Sequence, residues 1–275
     1  MNKRQNANVD MDKNQSNPCL ADLFVPGHSV DCVIVGYENQ QLKILVVKWK
    51  LEGPWALPGG FVGRGQDLEA AAHQVLKERT GLKSIFLQQF HTFGRFDRPS
   101  LYKDQLDQIT KIGQKLGMMD AEFAKWVFQR FITTGYFALL DIKKTRPTPD
   151  LLSEKCEWVS LENMPDLIMD HNQIVAETLK HLRIQLNFLP IGISLLPNKF
   201  TMQDLQKLYE AILQRPLERS NFQRKILKLG MLDRNGKLLT GAANKAPYLY
   251  SFNLKKYNTM VENGIGFSYL GDKIL

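Results

Sequence analysis

The sequence has few cysteines and no long hydrophobic run. Its three cysteines, Cys19, Cys32 and Cys156, are too scattered for a disulfide framework or a zinc site, so we expect a reducing, cytoplasmic environment. No apolar run reaches the roughly 18 residues that a membrane-spanning helix needs. The polar N-terminal stretch lacks the apolar core of a signal peptide. These absences argue against a secreted, disulfide-bonded protein and against a helical membrane protein.

Positive charge is concentrated at one end of the chain. The formal net charge is +8, but residues 199–275 hold 13 Lys or Arg against 6 Asp or Glu, so the remainder is nearly neutral. A basic segment on a neutral body suits a polyanion such as DNA. An ordinary solvated surface explains the charge equally well. At 275 residues, the chain is long enough to form two domains.

The chain is organised around residues 57–82, where a glycine turn precedes an amphipathic helix. Gly59 and Gly60 permit positive φ or a close approach to a ligand, and Gly81 is a natural C-cap. The pattern predicts a helix over Asp67–Thr80, because apolar side chains recur at helical spacing at Leu68, Ala71, Ala72, Val75 and Leu76.

The spacing of this stretch resembles the Nudix box, whose carboxylates hold divalent cations against a diphosphate. Gly60, Gly81 and Leu82 match the box, so the resemblance implies the same turn and helix. The metal ligands are largely missing, because the family's first Glu, its Arg-Glu pair and its Glu-Glu pair are replaced by Gln66, by Gln74 and Val75, and by Glu78 and Arg79. Magnesium needs several oxygen ligands in strict geometry. We therefore expect no metal site and no catalytic residue, with Glu78 as the residual Nudix carboxylate.

The predicted organisation is a flexible tail (1–28), a first domain (29–188) with a helical insertion at about 101–128, a linker (189–198) and a basic C-terminal domain (199–275). The first domain is expected to contain a hairpin of Ser29–Val35 and Leu42–Trp49 and a helix over Met164–Ile184. In that helix, His171 follows Asp170 and is interpreted as a packing or capping residue rather than a catalyst. Extra core, a dimer contact and a pocket lid remain open as roles for the insertion.

The C-terminal domain has the pattern of a helix-turn-helix. Thr201 with Asp204 predicts a capping box before an amphipathic helix, and Ser220 with Gln223 predicts a second box before a helix over Asn221–Leu229. The segment Asp233–Lys237, with a turn at Asn235 and Gly236, and a strand over Tyr248–Phe252 then frame a basic loop in the place of a wing.

The second of these helices has a polar, basic outward face that suits a DNA major groove. Asn can pair with adenine and Arg with guanine, while Lys and the helix N-terminus hold phosphates. The alternative is a solvated amphipathic helix, which two capping boxes and a wing make less favoured. The candidate DNA-binding residues are Arg219, Ser220, Asn221, Arg224, Lys225, Lys228, Asn244 and Lys245.

Residues 29–253 resemble the Nudix-related transcriptional regulators, most closely in the phrases LLPNKFTMQDLQKLYEAI, ERSNFQRKILKLGML and NKAPYLYSF. The resemblance implies an α+β (α/β) fold, with a Nudix-like mixed-sheet α/β/α sandwich followed by a winged helix-turn-helix domain. It also implies a homodimer on a palindromic double-stranded DNA operator, and a domain that senses a sugar or sugar-nucleotide effector such as ADP-ribose or a pentose.

The candidate effector-binding residues surround the box and the following loop. For a diphosphate we expect contacts from the Gly59 and Gly60 backbone, Arg95 and Arg98. For a neutral sugar, Trp55, Phe61 or Phe93 stacks its apolar face while His91 or Asp97 accepts its hydroxyls. A surface ion pair that caps a turn is an equal alternative for the loop residues Arg95, Asp97 and Arg98.

Two other functions are alternatives to the regulator. A Nudix pyrophosphatase acting on ADP-ribose needs Mg²⁺ and must recruit carboxylates from outside the box, for instance Glu69 with Glu78. The missing acids disfavour it. A general DNA-coating protein is disfavoured because the basic surface is confined to one small module.

Overall fold

A computed structural model of the chain describes residues 24–82, 87–186, 193–238 and 246–262. The strands are β1 (Phe24–Glu38), β2 (Gln41–Trp49), β3 (Trp55–Ala56), β4 (Gly59–Gly63), β5 (Leu87–Phe93), β6 (Ile132–Leu140), β7 (Ser153–Ser160), β8 (Phe200–Thr201), β9 (Leu232–Lys237) and β10 (Tyr248–Phe252). The helices are α1 (Leu68–Thr80), α2 (Arg98–Leu101), α3 (Lys103–Lys115), α4 (Ala121–Val127), α5 (His171–Gln185), α6 (Met202–Leu213), α7 (Arg219–Lys228) and α8 (Leu254–Glu262).

The first seven strands form one mixed sheet with β1 at its centre. β1 pairs in parallel with β6 and antiparallel with β2 and β4, as predicted for the β1–β2 hairpin. β5 pairs with β6, and β3 and β7 both pair with β2. The parallel β1–β6 pair needs a long crossover, and the chain between these strands contains α1 and the inserted helices.

Helices cover both faces of this sheet because its central strands are apolar on both sides. In β1, Cys32 and Ile34 pack in the core beneath α1, whereas Val33 and Val35 pack in the core beneath α5. α1 ends at Gly81, whose φ of 75° satisfies the predicted C-cap. The prediction of an α/β/α sandwich is confirmed.

The inserted helices α3 and α4 build a third core on the first domain. The predicted N-cap of α4 is confirmed, since Asp120 accepts a hydrogen bond from the backbone N–H of Phe123. Apolar side chains of both helices pack against the sheet and against Phe131, a contact made by Leu106, Ile109, Phe123, Trp126 and Val127.

The C-terminal domain has the predicted winged-helix arrangement. α6 and α7 are followed by the β9–β10 hairpin, and β10 lies between β9 and β8. Thr201 and Asp204 form the expected reciprocal capping box at the start of α6. Phe222 and Ile226 turn the inner face of α7 toward a core that continues into α5 and the sheet of the first domain.

Several predicted boundaries differ in the structure. β1 begins at Phe24, within the predicted tail, and residues 1–23 lie outside the described part of the chain. Gly59 and Gly60 lie in β4 and neither has a positive φ, so the predicted glycine turn is wrong. The helix predicted from Met164 begins at His171, because Met169 adopts a left-handed φ of 49° that breaks the chain direction.

The C-terminal half shows two further differences. Within the predicted linker, Leu195 and Leu196 are buried in the core that joins the two domains, and residues 187–192 lie outside the described chain. Asn235 and Gly236 belong to β9, so the turn predicted there is wrong. The Asn235 side chain instead donates to Ser251 Oγ across the hairpin at 3.0 Å. Among the helices of the described residues, none is long and apolar enough to cross a membrane.

Candidate functional site

Helix α1 carries a chain of amide hydrogen bonds where Nudix hydrolases carry metal-binding carboxylates. Gln66 Oε1 accepts from the Gly63 N–H at 3.2 Å, and Gln66 Nε2 donates to Gln74 Oε1 at 2.8 Å. Gln74 Nε2 in turn donates to Glu78 Oε1 at 2.9 Å. These groups satisfy one another without a cation. Within the described ranges, no cluster of three or more His, Cys, Asp or Glu could hold a metal ion.

Arg79, at the last carboxylate position of the box, points inward. Its side chain is 8% exposed, and Nη2 donates to Asp150 Oδ2 at 2.5 Å. The loop that carries Asp150 is also bound to the end of α1, because the backbone amides of Arg146 and Thr148 donate to the Thr80 and Arg79 carbonyls. This position of the box therefore holds a buried cation in place of a metal ligand.

A cavity of about 300 Å³ lies beside the box, between the sheet and the inserted helices. Most of its wall is apolar, contributed by Val47, Trp49, Ala56, Phe61, Leu106, Ile109, Met119, Val127, Phe131, Leu152 and Ile168. Five ionisable side chains also reach it: Asp31, Arg79, Arg98, Asp150 and His171. A mostly apolar cavity with a few convergent polar groups is typical of a small-molecule site.

Asp31 and His171 form the polar floor of this cavity. Asp31 Oδ2 accepts from the Thr133 hydroxyl at 2.7 Å, and Asp31 Oδ1 lies 3.6 Å from His171 Nε2. His171 Nδ1 accepts from the Leu57 N–H at 2.9 Å, which assigns the ring proton to Nε2. Burial lowers the pKa of His171 and keeps the ring neutral. A carboxylate and an imidazole N–H can together accept from and donate to a hydroxyl.

Glycine is required at position 59 by this polar floor. A Cβ at Gly59 would lie 2.5 Å from Asp31 Oδ1 and 2.9 Å from the carbonyl oxygen of Val30. β4 therefore approaches β1 closely at the cavity, which is the close approach expected of a glycine here, although its partner is protein.

Arg98 joins the cavity to the start of α5. Its Nε and Nη2 donate to Asp170 Oδ1 at 3.2 and 2.8 Å, and its Nη1 donates to the Phe131 carbonyl at 3.4 Å. Both side chains of the ion pair are almost fully buried. Each nitrogen of the Arg98 guanidinium therefore has a protein acceptor.

The structure separates the predicted effector residues into two groups. Gly59, Gly60, Phe61 and Arg98 line the cavity. The others lie outside the cavity wall, and these are Trp55, His91, Phe93, Arg95 and Asp97.

Each residue of the second group has a structural environment of its own. Trp55 packs beneath Lys48, and Phe93 is buried in the core. His91 is exposed on β5 against Phe93. Arg95 donates to both carboxylate oxygens of Asp97 at 2.9 and 2.7 Å, which is the surface ion pair weighed as an alternative.

The inserted helices form a wall of the cavity as well as core. α3 contributes Leu106 and Ile109 to the lining, and the Gln105 side chain accepts from the Met169 N–H at the turn before α5. Met169 holds a left-handed conformation there, which costs free energy unless its surroundings fix it. The insertion therefore fixes the backbone next to His171.

Helix α7 presents the predicted basic stripe to solvent. Arg219, Ser220, Asn221, Arg224, Lys225 and Lys228 are all exposed. Arg224 Nη2 donates to Asn221 Oδ1 at 3.1 Å, so the two predicted base-contacting side chains already orient each other. The other candidates, Asn244 and Lys245, lie outside the described residues.

The capping box predicted for Ser220 and Gln223 is wrong. The N-cap is Glu218, whose carboxylate accepts from the backbone amides of Ser220 and Asn221 at 2.8 and 2.6 Å. These hydrogen bonds lower the pKa of Glu218. The Glu218 carboxylate therefore occupies backbone amides that were expected to hold a phosphate.

The wing contains a basic residue that the sequence analysis did not select. The Arg234 guanidinium lies 3.2 Å from the centre of the Tyr248 ring, and Lys237 Nζ lies 5.5 Å from it. Stacking holds the Arg234 side chain on the exposed face of the β9–β10 hairpin, on the same module as α7.

Helix α5 connects the cavity to the C-terminal domain. It begins at the cavity residue His171, and twelve residues later Arg183 Nε donates to the Ile212 carbonyl at the end of α6 at 3.0 Å. Arg183 Nη2 donates to Gln214 Oε1 at 2.6 Å. Gln214 begins the connection that leads to α7. Helix α5 therefore touches both the cavity and the end of α6, the helix that precedes α7.

Two family models match the chain. The Nudix domain model covers residues 26–182, and the NrtR DNA-binding winged helix domain model covers residues 192–252. The chain is 31% identical over 246 residues to the ADPR responsive transcriptional repressor NtrR of Acinetobacter baylyi, covering 86% of each protein.

Solved structures share the fold. The chain resembles Shewanella oneidensis NrtR with a TM-score of 0.60 at 24% identity, covering 84% of this chain and 96% of that one. The same protein complexed with a 27mer DNA gives a TM-score of 0.61 at 23% identity, covering 84% and 95%. These likenesses establish a Nudix-like domain followed by a winged helix.

A Nudix-like domain with a degraded box joined to an NrtR-type winged helix defines a class of DNA-binding transcriptional regulators that respond to a small-molecule effector. The chain belongs to the Nudix family and, within it, to the NrtR-type regulators.

Proposed function

We propose that this protein is a transcriptional repressor that releases its operator when a ribose-containing sugar nucleotide, ADP-ribose, enters the cavity beside α1. The observation that carries the proposal is that Gln66, Gln74 and Arg79 replace the box's metal chemistry while the cavity beside them persists. A sensor needs the cavity and no hydrolysis. The related repressor from Acinetobacter baylyi is described as ADPR responsive, which supports this effector.

DNA binding is assigned to α7 with the wing. In this proposal Asn221 and Arg224 read bases and Lys225 and Lys228 contact phosphates, and the support is their exposure along one helix. We propose that two copies bind as a homodimer to a palindromic operator, since a two-fold protein matches a two-fold site. A cytoplasmic location follows from the DNA partner.

The cavity signals to the DNA through α5 in this account. Ligand contacts at His171 shift the N-terminus of α5, and the hydrogen bonds of Arg183 transmit the shift to the end of α6. α5 spans roughly 22 Å at about 1.5 Å per residue. The ligand controls DNA affinity only if it binds the two arrangements unequally.

A neutral pentose is the alternative effector within the same function. Asp31 and His171 provide the hydroxyl contacts that a sugar needs, and Trp49 and Phe61 provide apolar faces. Both effector classes use the same floor of the cavity. They differ because the diphosphate of ADP-ribose needs a positively charged partner, whereas a neutral pentose does not.

Fluorescence anisotropy tests the proposal. The full chain is titrated into labelled DNA from upstream of its own gene and into a scrambled duplex of equal length, with and without ADP-ribose, D-ribose and L-arabinose. We expect sequence-dependent binding that ADP-ribose weakens. Equal binding to both duplexes contradicts the DNA assignment, and ligand-independent operator binding contradicts the sensor assignment.

The same samples test the pyrophosphatase alternative. In the structure, Glu78 is bonded to Gln74, and Glu69 lies 3.7 Å from His73 Nε2, so neither carboxylate is arranged with others around a cation. If ADP-ribose is hydrolysed, and this hydrolysis depends on Mg²⁺ and is abolished by Glu78→Gln, the protein is a pyrophosphatase. That result contradicts the proposal that the domain is a sensor without hydrolytic activity.

A further inference from the structure

We propose that Arg79 binds an anionic oxygen of the effector directly, so that a guanidinium replaces the metal ion with which Nudix hydrolases hold a diphosphate. The inference rests on the proposed function and specifies how the cavity recognises a charged effector. Arg79 occupies the last carboxylate position of the box, and its side chain lines the cavity.

Arg79 has an unused hydrogen-bond donor. The Nε–H and one Nη–H of a guanidinium form an edge that binds two oxygens in parallel. In Arg79, Nη2 donates to Asp150, whereas Nε is fully buried and has no acceptor among the described residues. A buried donor without a partner calls for an explanation.

Arg98 provides a comparison, because both donors of its Nε and Nη2 edge have protein acceptors and its role is structural. Its Nε and Nη2 both donate to Asp170, and its Nη1 donates to the Phe131 carbonyl. Of the two arginines that line the cavity, Arg98 has an acceptor for each of its three guanidinium nitrogens, whereas Arg79 has none for Nε among the described residues. Nε of Arg79 is therefore the donor to which a ligand oxygen can bond once the buried edge is opened.

Asp150 is the group that an anionic ligand must displace. Its Oδ2 contacts Arg79, whereas its Oδ1 accepts from the Leu152 N–H at 3.0 Å and the Ser153 hydroxyl at 2.6 Å. The turn at residues 150–153 is thus held by Oδ1 and does not depend on the ion pair. When Asp150 swings away, both Nε and Nη2 become available to two oxygens of one phosphate.

This arrangement makes opposite predictions for two variants. Asp150→Asn keeps an oxygen for Leu152 and Ser153 but removes the charge that competes for Arg79, so it should tighten ADP-ribose binding several-fold. Arg79→Gln removes the cation and should weaken ADP-ribose binding at least tenfold. Arg79→Lys keeps the charge without the two-donor edge and should give an intermediate loss.

Isothermal titration calorimetry on the full-length protein in EDTA measures these effects. ADP-ribose is the charged probe, and L-arabinose is the neutral control that should not respond to Arg79→Gln. Equal melting temperature and ligand-free operator affinity show that each variant is folded, and Asp150→Asn still tests the proposal if Arg79→Gln unfolds.

The outcomes separate this inference from the proposed function. Unchanged ADP-ribose affinity in both Arg79→Gln and Asp150→Asn overturns the role of Arg79 alone, as does wild-type binding that EDTA abolishes. Operator binding that no ligand changes in the wild type overturns the proposed function, and the inference with it.

Discussion

The ion pair between Arg98 and Asp170 offers a quantitative test of the cavity's construction. Both side chains are 6–7% exposed, and together they tie α2 to Asp170, the N-cap residue of α5. Arg98→Ala leaves the Asp170 carboxylate buried without a cation. Breaking a buried pair in this way costs about 3–5 kcal/mol. At about 2–4 °C per kcal/mol for a protein of this size, the melting temperature should fall by roughly 6–20 °C.

A neighbouring ion pair provides the matched control. Arg95 forms an equally well-shaped pair with Asp97 only three residues earlier, but on the surface, where water solvates either partner alone. Scanning calorimetry should therefore show no measurable shift for Arg95→Ala and a large one for Arg98→Ala.

A double-mutant cycle makes the test of the Arg98 pair complete. Asp170→Asn removes the buried negative charge that Arg98→Ala leaves without a partner. The double variant should therefore lose less free energy of unfolding than the two single variants lose together. Additive losses, or a melting temperature of Arg98→Ala equal to that of the wild type, refute the reasoning, because the buried charge would then be solvated in the folded state.

Three further predictions concern DNA and pH. Arg224→Ala should cost about 1–3 kcal/mol of operator binding and relax specificity at one base, whereas Lys228→Ala should weaken all sequences alike and shallow the salt dependence, as anisotropy at several salt concentrations will show. Glu218→Gln should tighten DNA binding, because it removes a negative charge from the N-terminus of α7 near the phosphates; weaker binding in the same assay contradicts the assigned docking face. Burial lowers the pKa of His171, so the unfolded chain binds a proton that the folded chain does not, and stability present at neutral pH should fall as the pH drops below about 6.5. Urea unfolding across that range should show that the free energy of unfolding falls less steeply with decreasing pH in His171→Asn than in the wild type. His181, whose pKa is also lowered by burial, should account for part of the decline that remains. An equal slope in the variant and the wild type contradicts the role given to His171.

Local signals in the sequence predicted much of the fold. The C-cap at Gly81, the N-cap at Asp120 and the capping box at Thr201 are confirmed, because each depends on residues within one turn of the chain. The resemblance to Nudix-related regulators predicted the sandwich, the winged helix and the DNA-binding regulator, all of which the fold and the comparisons confirm.

Predictions failed where another contact, local or tertiary, overrode the preference of a single residue. Ser220 is a good N-cap residue, but Glu218 reaches two amides and starts the helix earlier. Asn235 and Gly236 favour a turn, but Asn235 bonds Ser251 on the partner strand and extends the hairpin. The helix of α5 starts late because Met169 is held in a left-handed conformation.

The cavity was the least predictable part of the site. The loop after β5 was expected to contain ligand contacts, yet Arg95 and Asp97 pair with each other away from the cavity. Asp31 was not selected, although a single carboxylate in an apolar strand is a signal that sequence offers. Arg79 and Asp150 lie 71 residues apart, and only the fold brings them together.

The central claim is that occupancy of the cavity and DNA binding are coupled, and calorimetry of ADP-ribose binding to the free protein and to its operator complex tests it most directly. Coupling between two sites is reciprocal, so the factor by which ADP-ribose weakens operator binding must equal the factor by which the operator weakens ADP-ribose binding. We expect the operator complex to bind ADP-ribose more weakly by that factor. Equal affinities of the free protein and the complex for ADP-ribose would contradict the account.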